Sequence, residues 1–217
     1  MTVASTIIRG GSQDGQAIGL RSNRDYDLLT AAGSPPLFDL ARRGRVFTGN
    51  IAAAGVVLPI YSNTTQQVGL WNPAGNDVDA VLLSVSLTYV DTTGAAGGFV
   101  LGYLSNAPAQ LATGAAITAF TETTAINSYI NNGAASKVKF GQGATITVTA
   151  PSVLRHVGLN QTVLTAATTS SPQWTARADF DGDVIVTPGS AIFVAGNIAT
   201  LIKVAGSVVW AEFPRNT

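Results

Sequence analysis

The stretch Leu83-Ser84-Val85-Ser86-Leu87-Thr88-Tyr89 decides the fold class, because its residues alternate between apolar and hydroxyl-bearing side chains. Successive side chains of an extended chain point to opposite faces, so this pattern predicts a strand with one buried face. A second stretch, Trp174 to Phe180, alternates in the same way and has Thr175, Arg177 and Asp179 on its polar face. Two such strands indicate sheets packed on a shared core.

Shorter strand candidates follow along the chain and are separated by Pro, Gly, Asn and Asp. They are Val57 to Tyr61, Gln67 to Trp71, Phe99 to Leu104, Lys137 to Phe140, Thr145 to Thr149, Ser152 to Val157, Val184 to Thr187, Ala191 to Val194, Leu201 to Val204 and Val208 to Phe213. We therefore expect an all-β protein with a jelly-roll-like two-sheet β-sandwich over residues 57–217. Residues 107–132 are ambiguous and predict either a surface excursion or a short helix.

Residues 1–56 are expected to form an extended N-terminal arm that carries at most a short helix. Six of the twelve basic residues lie in the first 45 positions, where four aspartates leave a net charge of +2. Ser34 suits a helix N-cap, Pro35 suits the first helical position, and Gly44 suits the end of the helix.

This short helix holds the residues that we predict to bind a partner. Its apolar side chains need a covering surface, which the same chain or another subunit could supply, and its arginines could act as charged anchors. The candidate residues are Leu37, Phe38, Leu40, Arg42, Arg43 and Arg45. A net charge of +2 is low for a nucleic-acid-binding arm, so a protein partner is favoured over nucleic acid.

The composition favours association with neighbouring molecules. Only 11% of the residues are charged and the formal net charge is zero, whereas soluble domains carry roughly 25% charged residues. The chain has no cysteine, which excludes disulfides, thiol catalysis and the usual zinc frameworks. The longest apolar run, Ile51 to Leu58, is too short to span a bilayer, and residues 1–11 lack a signal-peptide pattern, so we expect neither a membrane partner nor general secretion.

Little in the sequence suggests catalysis, a cofactor or a metal. His156 is the only histidine and lies inside a strand candidate, so a structural or exposed role is favoured over a catalytic base. Asp179, Asp181 and Asp183 surround Gly182, where Asp181-Gly182 favours a hairpin turn and a calcium site is the weaker alternative. No phosphate-binding loop is present, so we expect no enzyme and no cofactor.

The aromatic residues leave a binding role open. Trp71, Trp174 and Trp210 lie in or beside strand candidates and are expected in the core or at a subunit interface rather than in a sugar platform. Tyr103 and Tyr129 are candidates for exposed aromatic residues that could contact a glycan.

Two segments carry a resemblance to a known class of proteins. The stretch Gly69-Leu70-Trp71-Asn72-Pro73-Ala74-Gly75, followed by the strand Ala80 to Val90, resembles virion structural proteins of tailed bacteriophages. The closing segments Val186 to Gly189 and Val208 to Pro214 are similar in the same way. The resemblance covers roughly residues 56–214 as a sandwich pattern, and it assigns no functional residue. It implies a jelly roll that assembles as a trimer and decorates or cements the outside of a capsid.

We therefore predict a non-enzymatic capsid decoration protein that binds across subunits of the major capsid protein through its arm and associates with itself as a homotrimer. It would be made in the host cytoplasm and reside on the capsid surface. One alternative is a tail or fibre protein whose sandwich binds a receptor glycan. The other is a jelly-roll shell subunit, for which a genome-facing arm would bind nucleic acid with strong salt dependence.

Overall fold

The computed structural model describes residues 21–22, 28–29, 37–90, 97–104, 117–130, 133–146, 150–160, 175–180, 182–198 and 202–215. The chain divides into two compact units, Met1–Phe38 and Asp39–Thr217. In the first unit, strand β1 (Arg21–Ser22) pairs antiparallel with strand β2 (Leu28–Leu29).

A short helix and a series of strands make up the rest of the described chain. The elements are α1 (Phe38–Arg42), β3 (Val46–Leu58), β4 (Thr65–Gln66), β5 (Val68–Trp71), β6 (Val78–Tyr89), β7 (Gly97–Leu104), β8 (Ile117–Thr123), β9 (Ile126–Asn127), β10 (Lys139–Ile146), β11 (Ser152–Asn160), β12 (Thr175–Asp179), β13 (Ile185–Val186), β14 (Ala191–Gly196) and β15 (Ile202–Pro214).

The strands form two antiparallel sheets that pack face to face. Sheet I has the order β12-β6-β15-β3-β9, and β13 pairs with β6 on the edge that β12 also uses. Sheet II has the order β11-β7-β14-β5-β10-β4, with β8 on the other edge of β10. One buried cluster draws residues from both sheets. The predicted all-β sandwich is therefore confirmed.

Strand β6 confirms the predicted alternation and adds a correction. Val85, Leu87 and Tyr89 are buried, as expected for the apolar face. Leu83 is only half-buried, and Leu82 is buried in its place. The register shifts here, since Val209 of β15 pairs with Ser84 and the next residue pairs with Leu82. The additional residue is a β-bulge, which period-two reasoning cannot foresee.

Several predicted strands merge in the structure. The two candidates within 137–149 belong to the single strand β10, and the two within 201–213 belong to β15. In the ambiguous region, residues 117–123 and 126–127 form β8 and β9, so this described part is strand and not helix. Residues 107–116 lie outside the described part.

Strand β3 corrects the predicted boundary between arm and sandwich. The expected sandwich begins at residue 57, but β3 already pairs with β15 from Val46 onward. Residues 46–56 therefore belong to sheet I. Their small residues, Ala52 to Gly55, bulge out opposite Ala205 of β15 and hide the strand from a search for strict alternation. The role of residues 1–38 as an arm stays a prediction.

The core is centred on Trp210 of β15, which is fully buried. The rings of Phe47 and Phe140 stack with it at centroid distances of 6.0 and 6.1 Å. Gly49 permits this packing, because a Cβ atom there would lie 2.2 Å from the Phe140 ring. Sheet I thus supplies Phe47 and Trp210 while sheet II supplies Phe140, and these rings join the two layers.

Candidate docking surfaces

The predicted helix end at Gly44 is confirmed. Helix α1 is a single turn that closes in a Schellman motif, in which Arg45 N donates to Leu40 O (3.0 Å) and Gly44 N donates to Ala41 O (2.9 Å). Gly44 has a φ of 66°, a conformation that glycine adopts without steric cost. The predicted N-cap Ser34 and first position Pro35 lie outside the described residues.

The predicted partner-binding residues are distributed between surface and interior. Phe38 is 48% exposed and Leu37 is also exposed, while Leu40 is half-buried. Arg42 and Arg43 are exposed, and within the described part of the chain no carboxylate forms an ion pair with either. Arg45, the sixth of these residues, is half-buried. The segment thus combines uncovered apolar groups with free guanidinium groups.

A second exposed surface lies in the loop of residues 124–130, which we call the tip loop. Ile130 is 76% exposed, and Ile126 and Tyr129 are exposed as well. Large apolar side chains that cluster on a surface commonly mark an interaction site. The tip loop includes β9 and lies at the β3 edge of sheet I, since Phe47 pairs with Asn127.

The side chain of Asn127 holds the tip loop in place. Its Nδ2 donates to the carbonyl oxygens of Gly44 (2.7 Å) and Ala134 (3.1 Å), and its Oδ1 accepts from Tyr129 N (2.8 Å). Gly133 packs directly on this amide, because a Cβ atom there would lie 2.0 Å from Asn127 Cγ. One amide therefore ties the tip loop to the end of α1 and to the chain beyond the loop.

A buried carboxylate supports the same region from below. Glu212 of β15 is buried and accepts hydrogen bonds from Ser136 Oγ (2.6 Å), Lys137 N (3.1 Å) and Trp210 Nε1 (3.3 Å). These bonds fix residues 136–138, which follow the segment that Asn127 holds. The buried charge is thus stabilised by several donors, as a buried carboxylate requires.

A cleft of about 390 Å³ opens at the opposite edge of the sandwich, and we call it the side cleft. Tyr103, Leu154 and Ile185 line it and are exposed by 37, 44 and 55%. These three side chains come from β7, β11 and β13, so both sheets contribute. The lining is mainly aliphatic, which suits an apolar ligand group.

The polar groups at the side cleft are few. Asp183 forms an ion pair with Arg155, whose guanidinium carbon lies 5.3 Å from the centre of the Phe180 ring. The Ser190 hydroxyl donates to the Thr187 carbonyl oxygen at 2.6 Å. The cleft therefore presents apolar surface beside one internally neutralised charge pair.

The acidic cluster does not form the predicted hairpin. Strands β12 and β13 do not pair with each other, because both pair with the same edge of β6. Asp179 accepts hydrogen bonds from Arg177, and this contact raises the pKa of Arg177 above its usual range. Asp183 pairs with Arg155, and Asp181 lies outside the described residues. The calcium site stays a prediction, although both described carboxylates already have guanidinium partners.

The remaining predicted residues have simple environments. His156 is exposed on the edge strand β11, opposite Val100 of β7. Trp71 is half-buried against the edge of the Phe120 ring at 5.9 Å, so its ring is partly covered. Trp210 is in the core, as predicted, and Trp174 lies outside the described residues. Across the described ranges, no group of three or more His, Cys, Asp or Glu side chains converges on a point.

The stretch Asn72 to Asn76, which carries the phage resemblance, has a structural role. The buried Asn72 Nδ2 donates to the carbonyl oxygens of Val78 and Val186, both at 2.9 Å. Its Oδ1 accepts from Asn76 Nδ2 at 2.8 Å. The amide joins β6 and β13 to the end of β5, so this motif closes one end of the sandwich.

Comparisons with known proteins gave no relative: no family model, no curated protein and no solved structure matches the chain. Among the described residues, no helix has the length and apolar character needed to cross a membrane.

Sequence reasoning missed the tip loop as a surface. Ile126 and Ile130 were visible as apolar residues at near-helical spacing, which suggested burial. Their exposure follows from the pairing of β9 with β3, a long-range contact without a local signal. The pair Asn127-Ser128, with Asn131-Asn132-Gly133 nearby, could have indicated a turn-rich loop with exposed ends.

Proposed function

We propose that the sandwich is of the jelly-roll type. Eight strands, β3, β5, β6, β7, β11, β12, β14 and β15, can be ranked one to eight along the chain. Sheet I then has the order 6-3-8-1 and sheet II the order 5-4-7-2. Every pair of ranks that adds up to nine is adjacent, which is expected when one long antiparallel hairpin is rolled up. This order supports the proposal.

We infer that the protein is a non-enzymatic virion structural protein that decorates or cements the head of a tailed bacteriophage. It would bind across subunits of the major capsid protein through residues 1–38 and α1, and would associate with itself as a homotrimer. It would be made in the host cytoplasm and reside on the capsid surface. The observation that supports this most is the exposed pair Leu37 and Phe38 next to Arg42 and Arg43, on a segment directly before the sandwich.

The chemistry of this segment suits a protein interface. Interface cores are enriched in aromatic residues and arginine, and a few such residues supply most of the binding energy. Burying one exposed large apolar side chain contributes about 1.5–3 kcal/mol. Because the Schellman motif at Gly44 fixes the last turn, part of the ordering cost is met before binding.

A binding experiment with capsids tests the proposal. Purified heads that lack this chain are mixed with wild-type protein or with the double variant Leu37→Ser, Phe38→Ser, and the bound fraction is measured by co-sedimentation. We expect the double variant to bind at least tenfold more weakly. Val57→Ser is the matched control, since Val57 is a similarly exposed apolar residue on β3. Equal binding of all three proteins would contradict the proposed role of this segment.

A receptor-binding protein is the second candidate, and one observation favours it. Tyr103 and Tyr129 are both exposed, and Tyr103 lines the side cleft. An exposed tyrosine ring can stack on a sugar face. Binding of the wild-type chain to a glycan array, lost in Tyr103→Ala or Tyr129→Ala, would support this function over capsid decoration.

A further inference from the structure

The second unit carries an apolar protrusion and an apolar hollow on opposite edges. The protrusion is the tip loop with Ile126, Tyr129 and Ile130, and the hollow is the side cleft. We propose that the tip loop of one copy docks in the side cleft of the next copy. This inference rests on the self-association part of the proposed function and names the surfaces that carry it.

The pairing of strands in sheet I puts the two features at the same level. Two neighbouring rows of paired residues cross the sheet from one edge to the other. The rows are Asn127, Phe47, Trp210 and Leu82, and then Val46, Ala211, Val81 and Ile185. The first row starts in the tip loop, and the second ends in the side cleft. Four strand spacings separate β9 from β13, a distance of roughly 19 Å.

This placement favours a head-to-tail contact between copies. Because both features lie at one height along the strands, a rotation about an axis parallel to the strands can bring one onto the other. Such a contact uses different surfaces on the two copies, so it closes into a ring when the rotation divides a full circle. An open filament forms when it does not.

The two surfaces also match in charge. Residues 124–130 contain no Asp, Glu, Lys, Arg or His, and Tyr129 is neutral at pH 7. At the rim of the cleft, Asp183 and Arg155 neutralise each other. Docking therefore buries no unpaired charge, which would oppose association strongly.

The sizes and rigidity of the two surfaces are compatible. A cleft of about 390 Å³ can receive one or two large side chains, and its aliphatic lining suits Ile130 better than a sugar. The hydrogen bonds of Asn127 hold the tip loop before contact, which lowers the entropy lost on docking.

Cysteine cross-linking tests the contact directly, because the natural chain has no cysteine. One preparation carries Ile130→Cys and a second carries Leu154→Cys, and equal amounts are mixed and oxidised. We expect covalent heterodimers in at least fivefold excess over those from a mixture of Ile130→Cys with Val57→Cys. Val57 is exposed but lies outside the cleft, so it is the matched control.

Light scattering during size-exclusion chromatography of the full chain gives an independent measurement. We expect an oligomer for the wild type and a monomer for Ile130→Asp and for Leu154→Asp, all with the same circular dichroism spectrum. An oligomer that both variants leave unchanged, without selective cross-linking, would overturn the inference. A monomeric wild type that binds glycans through the cleft would also overturn it.

The results separate this inference from the proposed function. Monomers that still bind capsids would overturn the tip-to-cleft contact and leave the capsid role intact. Cross-linked oligomers that bind no capsid would support the contact and remove the capsid role.

Discussion

The core around Trp210 and the tip loop are similarly apolar, but they have opposite relations to solvent. Trp210 is fully buried between two phenylalanine rings, whereas Ile130 is 76% exposed. Polar side chains connect the two regions: Glu212 accepts from Trp210, and its other donors fix residues next to those held by Asn127. The core therefore supplies stability, and the tip loop supplies a surface that is available for docking.

The largest expected effect separates the two regions by their aromatic residues. Trp210→Ala should lower the free energy of unfolding by about 3–5 kcal/mol, because it empties the space between Phe47 and Phe140. Tyr129→Ala should change it by less than about 0.5 kcal/mol, since that ring is exposed. Urea denaturation followed by circular dichroism measures both. Similar losses in the two variants would contradict the division between core and docking surface.

The connection between the regions can be broken at Glu212. Glu212→Ala should cost about 2–3 kcal/mol of stability, because it leaves buried donors without an acceptor. The control is Asp77→Ala, which removes an exposed carboxylate that pairs with Lys137 and should cost at most about 1 kcal/mol. A smaller loss for Glu212→Ala than for the control, in the same denaturation assay, would show that the buried carboxylate does not support the fold.

The tip loop can be loosened without disturbing the core. Asn127→Ala should cost about 1–2 kcal/mol and should speed hydrogen exchange at the Tyr129 amide, which loses its acceptor. It should also weaken self-association. Asn197→Ala is the matched control, because Asn197 Oδ1 accepts from Gly98 N in another loop (2.7 Å). Equal self-association of the two variants would argue against a pre-formed tip loop.

The smallest expected effect concerns pH. The hydrogen bond from Lys137 lowers the pKa of Asp77 below its usual 3.8. A lowered folded-state pKa means that this contact stabilises the fold above the unfolded-state pKa and is lost as the pH falls through the folded-state pKa. The melting-temperature difference between wild type and Asp77→Asn should therefore be small at pH 7 and vanish in strong acid. A difference that grows in acid would contradict this sign.

Local patterns predicted the sandwich well where alternation was strict. The β6 and β12 stretches were recognisable because period-two alternation is typical of a strand with one buried face, and the Gly44 helix end followed from local backbone preference. The bulge at Leu83 and the alanine-rich part of β3 were missed, since both depend on the partner strand β15. Local propensity contains no information about such pairings.

The candidate docking surfaces were predictable only in part. The exposure of Leu37 and Phe38 could be predicted, because their sequence neighbours offered no core. The side cleft was not predictable, since Tyr103, Leu154 and Ile185 come from three distant segments that meet only in the fold.

The copy number of this chain in purified phage particles tests its assignment to the capsid most directly. Quantitative mass spectrometry against the major capsid protein should find the two chains at comparable abundance. A copy number that is a small fraction of the capsid protein would point to the tail and a receptor-binding role. Absence from the particles would contradict the virion assignment.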